Sequence, residues 1–370
     1  MRLDDGAYSP LDFEAYAGLD DETCRERIIA AKAALGEDAL ILAHHYQREE
    51  VFVHSDAHGD SLKLSRLAAE SRARHIVFCG VHFMAETADI LKKPHQQVIL
   101  PDPAAGCSMA DMADLAQVSR AWEELSEALD PEREILPITY INSSAALKAF
   151  CGLHGGVVCT SSNAKKVLSW ALSQKPKVLF FPDQHLGRYT GHAMGFSASQ
   201  MPLWDPEESL GGLDAKAVQS AKILLWKGHC SVHQVFSPSH IKIFREQFPD
   251  GLVISHPECR LEVCEASDFV GSTEFIIDTI ASAPKGTHWL VGTELNLVNR
   301  LSRRFASEGK TVRFMSPNLC VCSTMSRIDP QHLAWTLDCL VASAPANVIE
   351  VIEEDKRLAR TALERMLSLS

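Results

Sequence analysis

Short apolar runs that each break off into small polar residues, Gly or His recur along this chain, with helical stretches between them. Nothing else in the sequence constrains the fold as tightly, because strands that alternate with helices predict parallel sheets covered on both faces. Residues 39–43 run into His44-His45-Tyr46, 75–79 into Gly80-Val81-His82, and 98–100 into Pro101-Asp102, a few residues before Cys107. A second round leads 135–139 into Tyr140-Ile141-Asn142-Ser143, 157–159 into Thr160-Ser161-Ser162-Asn163 and 178–181 into Pro182-Asp183, and closes on Cys230. A third leads 252–255 into His256-Pro257-Glu258, 269–270 into Gly271-Ser272-Thr273 and 289–291 into Gly292-Thr293-Glu294, with 311–315 heading towards Cys320 and Cys322.

Three rounds imply an α/β chain of three similar αβα sandwich domains with parallel sheets, in pseudo-threefold arrangement around a central active site. Ligands of such sheets bind beyond the carboxyl ends of the strands, and every polar cluster named above falls at such an end. The domains are expected at 1–112, with lead-in helices before the first sheet, at 113–235 and at 236–323, with helices of 324–370 packing back on the first. The second is the longest. Its stretch near 186–222 carries several Gly, Pro and Ser residues and reads as an insertion at the surface or a lid.

The chain's 370 residues, 46% of them hydrophobic, are enough for two or three cores. A formal net charge of −12 argues against nucleic acid, whose phosphates are held by clustered Lys and Arg. No span suits a transmembrane helix, and the N-terminal MRLDDGAYSPLDFEAY is acidic and lacks the apolar core of a signal peptide. A cytoplasmic location is expected, with no membrane partner and with reduced cysteines.

Eleven cysteines are present, and three stand apart in unusual settings: Cys107 in Ala-Gly-Cys-Ser-Met-Ala-Asp, Cys230 in Trp-Lys-Gly-His-Cys-Ser-Val-His, and Cys322 in Cys-Ser-Thr-Met. If these meet, three thiolates around a cubane iron-sulfur cluster leave one iron open to bind substrate oxygen as a Lewis acid. Free cysteine also serves as a small buried hydrophobe, which is the default reading of Cys259 and Cys264.

The strand ends at Thr160-Ser161-Ser162-Asn163 and Gly271-Ser272-Thr273 have the form of helix starts, where free backbone N–H groups and hydroxyls either cap the helix or bind an anion. Two such motifs at equivalent places point to a doubly anionic substrate, and Ser61, after Gly59-Asp60, adds a third hydroxyl. No G-x-G-x-x-G or Walker-type pattern occurs in these turns, which argues against a dinucleotide or nucleoside triphosphate as main ligand. His44, Tyr46, Tyr140, His256 and Glu258 supply proton donors and acceptors at strand ends. Proline in His256-Pro257-Glu258 stiffens a turn with a base on each side. His233 reads either as a donor behind a metal ligand or as a helix-surface residue.

The motifs LAHHYQ, GDSLKLS, FMAET, AGCSMAD, YINSS, CTSSNA, PDQHLG, WKGHCSVH, HPEC, GST, VGTE and CSTM, in this order, resemble those of the quinolinate synthase family. The resemblance implies a pseudo-threefold protein with one 4Fe-4S cluster held by Cys107, Cys230 and Cys322, its fourth iron open. It implies condensation of iminoaspartate with dihydroxyacetone phosphate to quinolinate, phosphate and water on the way to NAD, with L-aspartate oxidase as a candidate supplier of the imine. Substrate anions are then held by His44, Ser61, Tyr140, Asn142, Ser161, His256, Ser272 and Thr273, while Tyr46, Glu258 and His256 move protons. Cys320 competes with Cys322 for the third ligand position; the family's Cys-x-x-Met pattern fits Cys322 with Met325. Two other classes fit parts of the sequence: a cluster-dependent hydro-lyase acting on a dicarboxylate, and a non-catalytic redox sensor using Cys320 and Cys322.

Overall fold

The computed structural model describes residues 10–369. The acidic N-terminal segment judged above for a signal peptide begins outside them. Fourteen strands occur among the described residues: β1 Ala39–His44, β2 Ala57–Gly59, β3 His75–Cys79, β4 Gln97–Ile99, β5 Ile135–Tyr140, β6 Val157–Cys159, β7 Lys177–Phe181, β8 Leu203–Trp204, β9 Ile223–Trp226, β10 Leu252–Ser255, β11 Phe269–Val270, β12 His288–Gly292, β13 Thr311–Phe314 and β14 Val348–Ile349. They form three sheets, ordered β14-β4-β3-β1-β2, β6-β5-β7-β9-β8 and β11-β10-β12-β13. All pairs are parallel except β14 with β4. Every residue of β5 and of β7 is buried, as strands covered on both faces require.

Counted along the chain within each sheet, the first four of these core strands stand in the same order, second-first-third-fourth, if the added β8 and β14 are set aside. In an open sheet of this order the crevice lies at the carboxyl ends of the first and third strands, where the chain turns to opposite sides. Equivalent positions therefore carry His44 to Tyr46 after β1, Tyr140 to Asn142 after β5, and His256 to Glu258 after β10. Each cysteine context follows the fourth strand of its sheet. The sequence reading counted three strands before Cys107 and before Cys230; β2 and β9 make four in each.

The chain divides into two compact units. One comprises the chain up to Gly106 with Cys322–Glu350 and holds the first sheet; the other comprises Cys107–Val321 and Val351–Ser370 and holds the second and third sheets. The closing helices part company. Pro330–Val341 packs on Asp21–Leu35 in the first unit, whereas Glu353–Ser368 lies along Ala145–Leu153 and β6 in the second, not on the first domain as the sequence reading placed it. A stripe of Ala359, Ala362, Leu363 and Met366 is buried there, and the two helices approach so closely at Gly152 that a Cβ would stand 2.0 Å from the Leu358 carbonyl oxygen.

Residues 186–222, expected as an insertion, hold regular structure. The helix Gln184–Ala193 is the regular crossover after β7, β8 extends the second sheet beside β9, and Ala215–Ser220 leads into β9.

Candidate active site

In the second unit the ends of β5 and β10 bring Tyr140 and Glu258 together. The Tyr140 hydroxyl donates to Glu258 Oε1 at 2.6 Å, and both side chains are buried. His233, on the short 3-10 turn Ser231–Val235 that follows Cys230, places Nδ1 2.9 Å from Glu258 Oε2. Its ring stacks on His256, with centroids 4.9 Å apart and planes 24° from parallel. Its Nε2 lies 3.4 Å from Thr293 Oγ1, at the end of β12. The Glu258 backbone N–H points at His256 Nδ1, 3.4 Å away, which casts that nitrogen as an acceptor.

Burial is the largest single influence on Glu258 and raises its pKa, but His256, His233 and the hydrogen bonds from His233 and Tyr140 together outweigh it and bring the carboxyl down to about 2. Burial, aided by His233 and opposed by Glu258, brings His256 down to about 3. An ionised Glu258 thus faces a neutral His256 at neutral pH.

Asp183, at the end of β7, lies in the same unit and is fully buried. Its Oδ1 accepts the His185 N–H at 2.9 Å, capping the helix Gln184–Ala193, while Oδ2 is buried without a partner. Burial and the Glu258 charge push this carboxyl well above the ordinary aspartate range. His185 is driven down to about 4, by burial first and then by Arg188, His229 and Arg260.

The Asp183 turn also supports the loop that carries Cys230. Gln184 N–H donates to the Gly228 carbonyl at 3.0 Å, and a Cβ on Gly228 would stand 2.3 Å from the Pro182 oxygen. The segment after Cys107 joins the same loop, since Trp226 Nε1 donates to the Met112 carbonyl at 2.7 Å and His229 N–H to Met112 Sδ at 3.3 Å. In the first unit, the turn after Cys322 is closed by Ser326 N–H on the Cys322 carbonyl and tied by Arg327 Nε to Asp102 Oδ2 at 2.8 Å.

Cys107, Cys230, Cys320 and Cys322 are half-exposed, and the other seven cysteines are buried. Burial raises the thiols of Cys24, Cys151, Cys159, Cys259 and Cys339, and brings Cys79 and Cys264 to about 12. A metal needs thiolates, so those seven are poor ligands. Cys259 and Cys264 instead fill the third sheet's core beside Phe236, Phe244 and Met315.

The three hydroxyl positions all follow the second strand of a sheet but are used differently. Ser61 begins the helix Ser61–Glu70 while Asp60 caps it, accepting the Lys63 N–H. Ser161 sits two residues past β6's end, half-buried, and Asn163 Oδ1 takes the Thr160 N–H in that turn. Ser272 caps the helix Thr273–Ser282, accepting the Phe275 N–H at 3.4 Å, and Thr273 is buried beside it. A capping oxygen keeps its own proton to donate. Asn142 Oδ1 is buried and has no protein partner. His44 is buried at the end of β1 and accepts the Tyr46 N–H on Nδ1 at 3.1 Å, with the half-buried Tyr46 ring edge-on to it at 4.6 Å.

Sequence reasoning assigned no role to Asp183, His185 or Thr293 and left His233 open. Cys230-x-x-His233 was the signal for His233; Asp183 and Thr293 were visible only as strand-end residues.

A family model described as quinolinate synthetase A protein matches residues 26–368. The chain is 52% identical over 354 residues to the quinolinate synthase of Acidobacterium capsulatum, covering 96% of this chain and 95% of that one. It is 54% identical over 359 residues to the quinolinate synthase of Herpetosiphon aurantiacus, with the same coverages. To that of Streptomyces coelicolor it is 52% identical over 345 residues, 93% of this chain and 87% of that one. Among the described residues no helix is long and apolar enough to cross a membrane.

Proposed function

The chain belongs to the quinolinate synthase family, and we propose that it condenses iminoaspartate with dihydroxyacetone phosphate to give quinolinate, phosphate and water in de novo NAD biosynthesis. The observation that carries this reading is the buried Tyr140–Glu258–His233 arrangement beside His256. Closing a pyridine ring requires protons to be taken from carbon and delivered to departing hydroxyl, and an ionised carboxylate with a tyrosine and two histidines around it can do both.

Glu258 acts as the base in this reading. Tyr140 and His233 hold its carboxylate in place and return protons through the same hydrogen bonds, and Tyr46 serves the second proton transfer. His44, Ser61, Tyr140, Asn142, Ser161, His256, Ser272 and Thr273 hold the substrate carboxylates and phosphate. The uncommitted Asn142 Oδ1 accepts a proton donor of the substrate, and the helix starts at Ser61, Ser161 and Ser272 add N–H groups for anions.

The half-exposed thiols Cys107, Cys230 and Cys322 fit a 4Fe-4S cluster, which when bound supplies a Lewis-acidic iron without a protein ligand. Cys320 stays outside the ligand set. A cytoplasmic location and imine supply by L-aspartate oxidase belong to the same reading.

The test is anaerobic, cluster-loaded protein supplied with both substrates, followed by phosphate release and quinolinate formation. Cys107→Ser, Cys230→Ser and Cys322→Ser should each abolish turnover and impair cluster retention, whereas Cys320→Ser should retain both. Full iron, sulfide and activity in Cys322→Ser would remove it from the ligand set. Phosphate released without quinolinate would refute the condensation.

A further inference from the structure

Cys230 Sγ, a ring nitrogen of His233 and a carboxylate oxygen of Glu258 all lie within 4.8 Å of one another. Thiolate, imidazole and carboxylate are the donor types that suit Zn²⁺. We infer that in the cluster-free chain Cys230, His233 and Glu258 form a mononuclear Zn²⁺ site, whose occupation excludes the iron-sulfur cluster because both need the Cys230 thiolate.

The surroundings favour a built site over a chance grouping. Metal-binding histidines have the other ring nitrogen held by an acceptor, and ligating carboxylates are themselves hydrogen-bonded. Here His233 Nδ1 faces Glu258 Oε2 at 2.9 Å while Nε2 lies 3.4 Å from Thr293 Oγ1. Glu258 Oε1 already takes the Tyr140 hydroxyl, leaving Oε2 for the ion. His233 and Glu258 are buried and hold their positions; Cys230 is half-exposed and gives the ion its way in. Zn–S and Zn–N bonds of about 2.3 and 2.0 Å place S and N roughly 3.5 Å apart in a tetrahedron, so from within 4.8 Å the thiol has to close by no more than about 1.3 Å. Binding releases the Cys230 thiol proton to solvent, the His233 proton that faces Glu258 in the free chain transfers to Nε2 towards Thr293 so that Nδ1 can ligate, and water completes the fourth position. No oxidation state changes.

Cobalt(II) serves as the spectroscopic probe. Titrated anaerobically into full-length, cluster-free protein, it should bind at one equivalent with the intense near-ultraviolet thiolate charge-transfer band and tetrahedral visible bands, and Zn²⁺ should displace it. Cys230→Ser should lose the thiolate band. His233→Gln should weaken binding by at least tenfold, and Thr293→Val by about tenfold, within the range found for residues behind metal ligands. Cys107→Ser should bind cobalt as the parent does. That last variant separates this inference from the cluster assignment, which needs Cys107: the two can fail independently. In the parent, one equivalent of Zn²⁺ added before iron and sulfide should block cluster assembly, and a chelator should restore it. Absence of a thiolate band, equal loss in Cys107→Ser and Cys230→Ser, unchanged affinity in His233→Gln, or cluster assembly unaffected by bound Zn²⁺ would each overturn the proposal.

Discussion

Asp183 and Glu258 are both buried carboxyl groups at strand ends of the second unit, yet their surroundings shift their pKa values in opposite directions. Asp183 is pushed well above its ordinary range by burial and by Glu258, whereas Glu258 is brought down to about 2 against the same penalty of burial. The difference lies in the neighbours, His256 and His233 first and then the hydrogen bonds from His233 and Tyr140. Glu258 receives the Tyr140 hydroxyl on one oxygen and faces His233 on the other, while Asp183 has the His185 backbone N–H on Oδ1 and no partner on Oδ2. Burial alone therefore does not decide the charge of a carboxyl; the side chains aimed at it do. Carboxyls whose environments push their pKa values apart are the pairing that acid-base chemistry uses.

Removing the charge of Glu258 should have the largest effect. Glu258→Gln keeps the shape and still accepts from Tyr140, so substrate affinity and cluster content should survive while turnover falls by about 10²–10⁴-fold. Steady-state rates with product affinity measured in parallel test this, and normal turnover would make Glu258 structural. Tyr140→Phe comes next, since it removes one of the groups that lower Glu258 and that Asp183 lacks. A hydrogen bond to a charged group is worth roughly 1.5–3 kcal/mol, so kcat/KM should drop about ten- to a hundredfold. Unfolding by denaturant should show a loss of about 1–3 kcal/mol, because a buried oxygen is left without its donor. If neither quantity moves, the comparison between the two carboxyls rests on the histidines alone.

The strand ends were legible in the sequence because parallel strands are apolar throughout and stop abruptly at polar residues; β3, β6, β10 and β11 fall where the apolar runs ended. β2 was not, since Ala57-His58-Gly59 has no apolar run and becomes a strand only through pairing with β1. β9 went unnamed as well, because Ile223 to Trp226 is a short run directly after the supposed insertion at 186–222. The shared strand order was out of reach, as order is a property of pairing. Site residues were legible as types and places: Tyr140, His256 and Glu258 were picked from their strand ends. Their charges were not, because the proton on Tyr140 that helps to ionise Glu258 comes from 118 residues away. The spare oxygen of Asp183 likewise has no signature in sequence.

Asp183→Asn should have the smallest effect on turnover and an unusual sign in stability. An asparagine oxygen keeps the bond from His185 N–H that caps the helix, and the change removes only a charge that the folded protein does not accommodate. In the unfolded chain the carboxyl ionises near pH 3.8, while in the folded protein it holds its proton to much higher pH. The folded state therefore binds more protons, and the stability contributed by this group is complete below about pH 4 and is lost as pH rises towards the folded value. Asparagine has no such slope. The stability of Asp183→Asn should accordingly gain on the parent as pH is raised from 5 to 8, at up to about 1.4 kcal/mol per pH unit below the folded value, while the new amide N–H₂ in the same apolar surroundings adds an offset that does not change with pH. Thermal unfolding of the two proteins across that range reads it directly. Parallel curves would mean that Asp183 is ionised when folded, and that the contrast with Glu258 has another cause than the supply of donors.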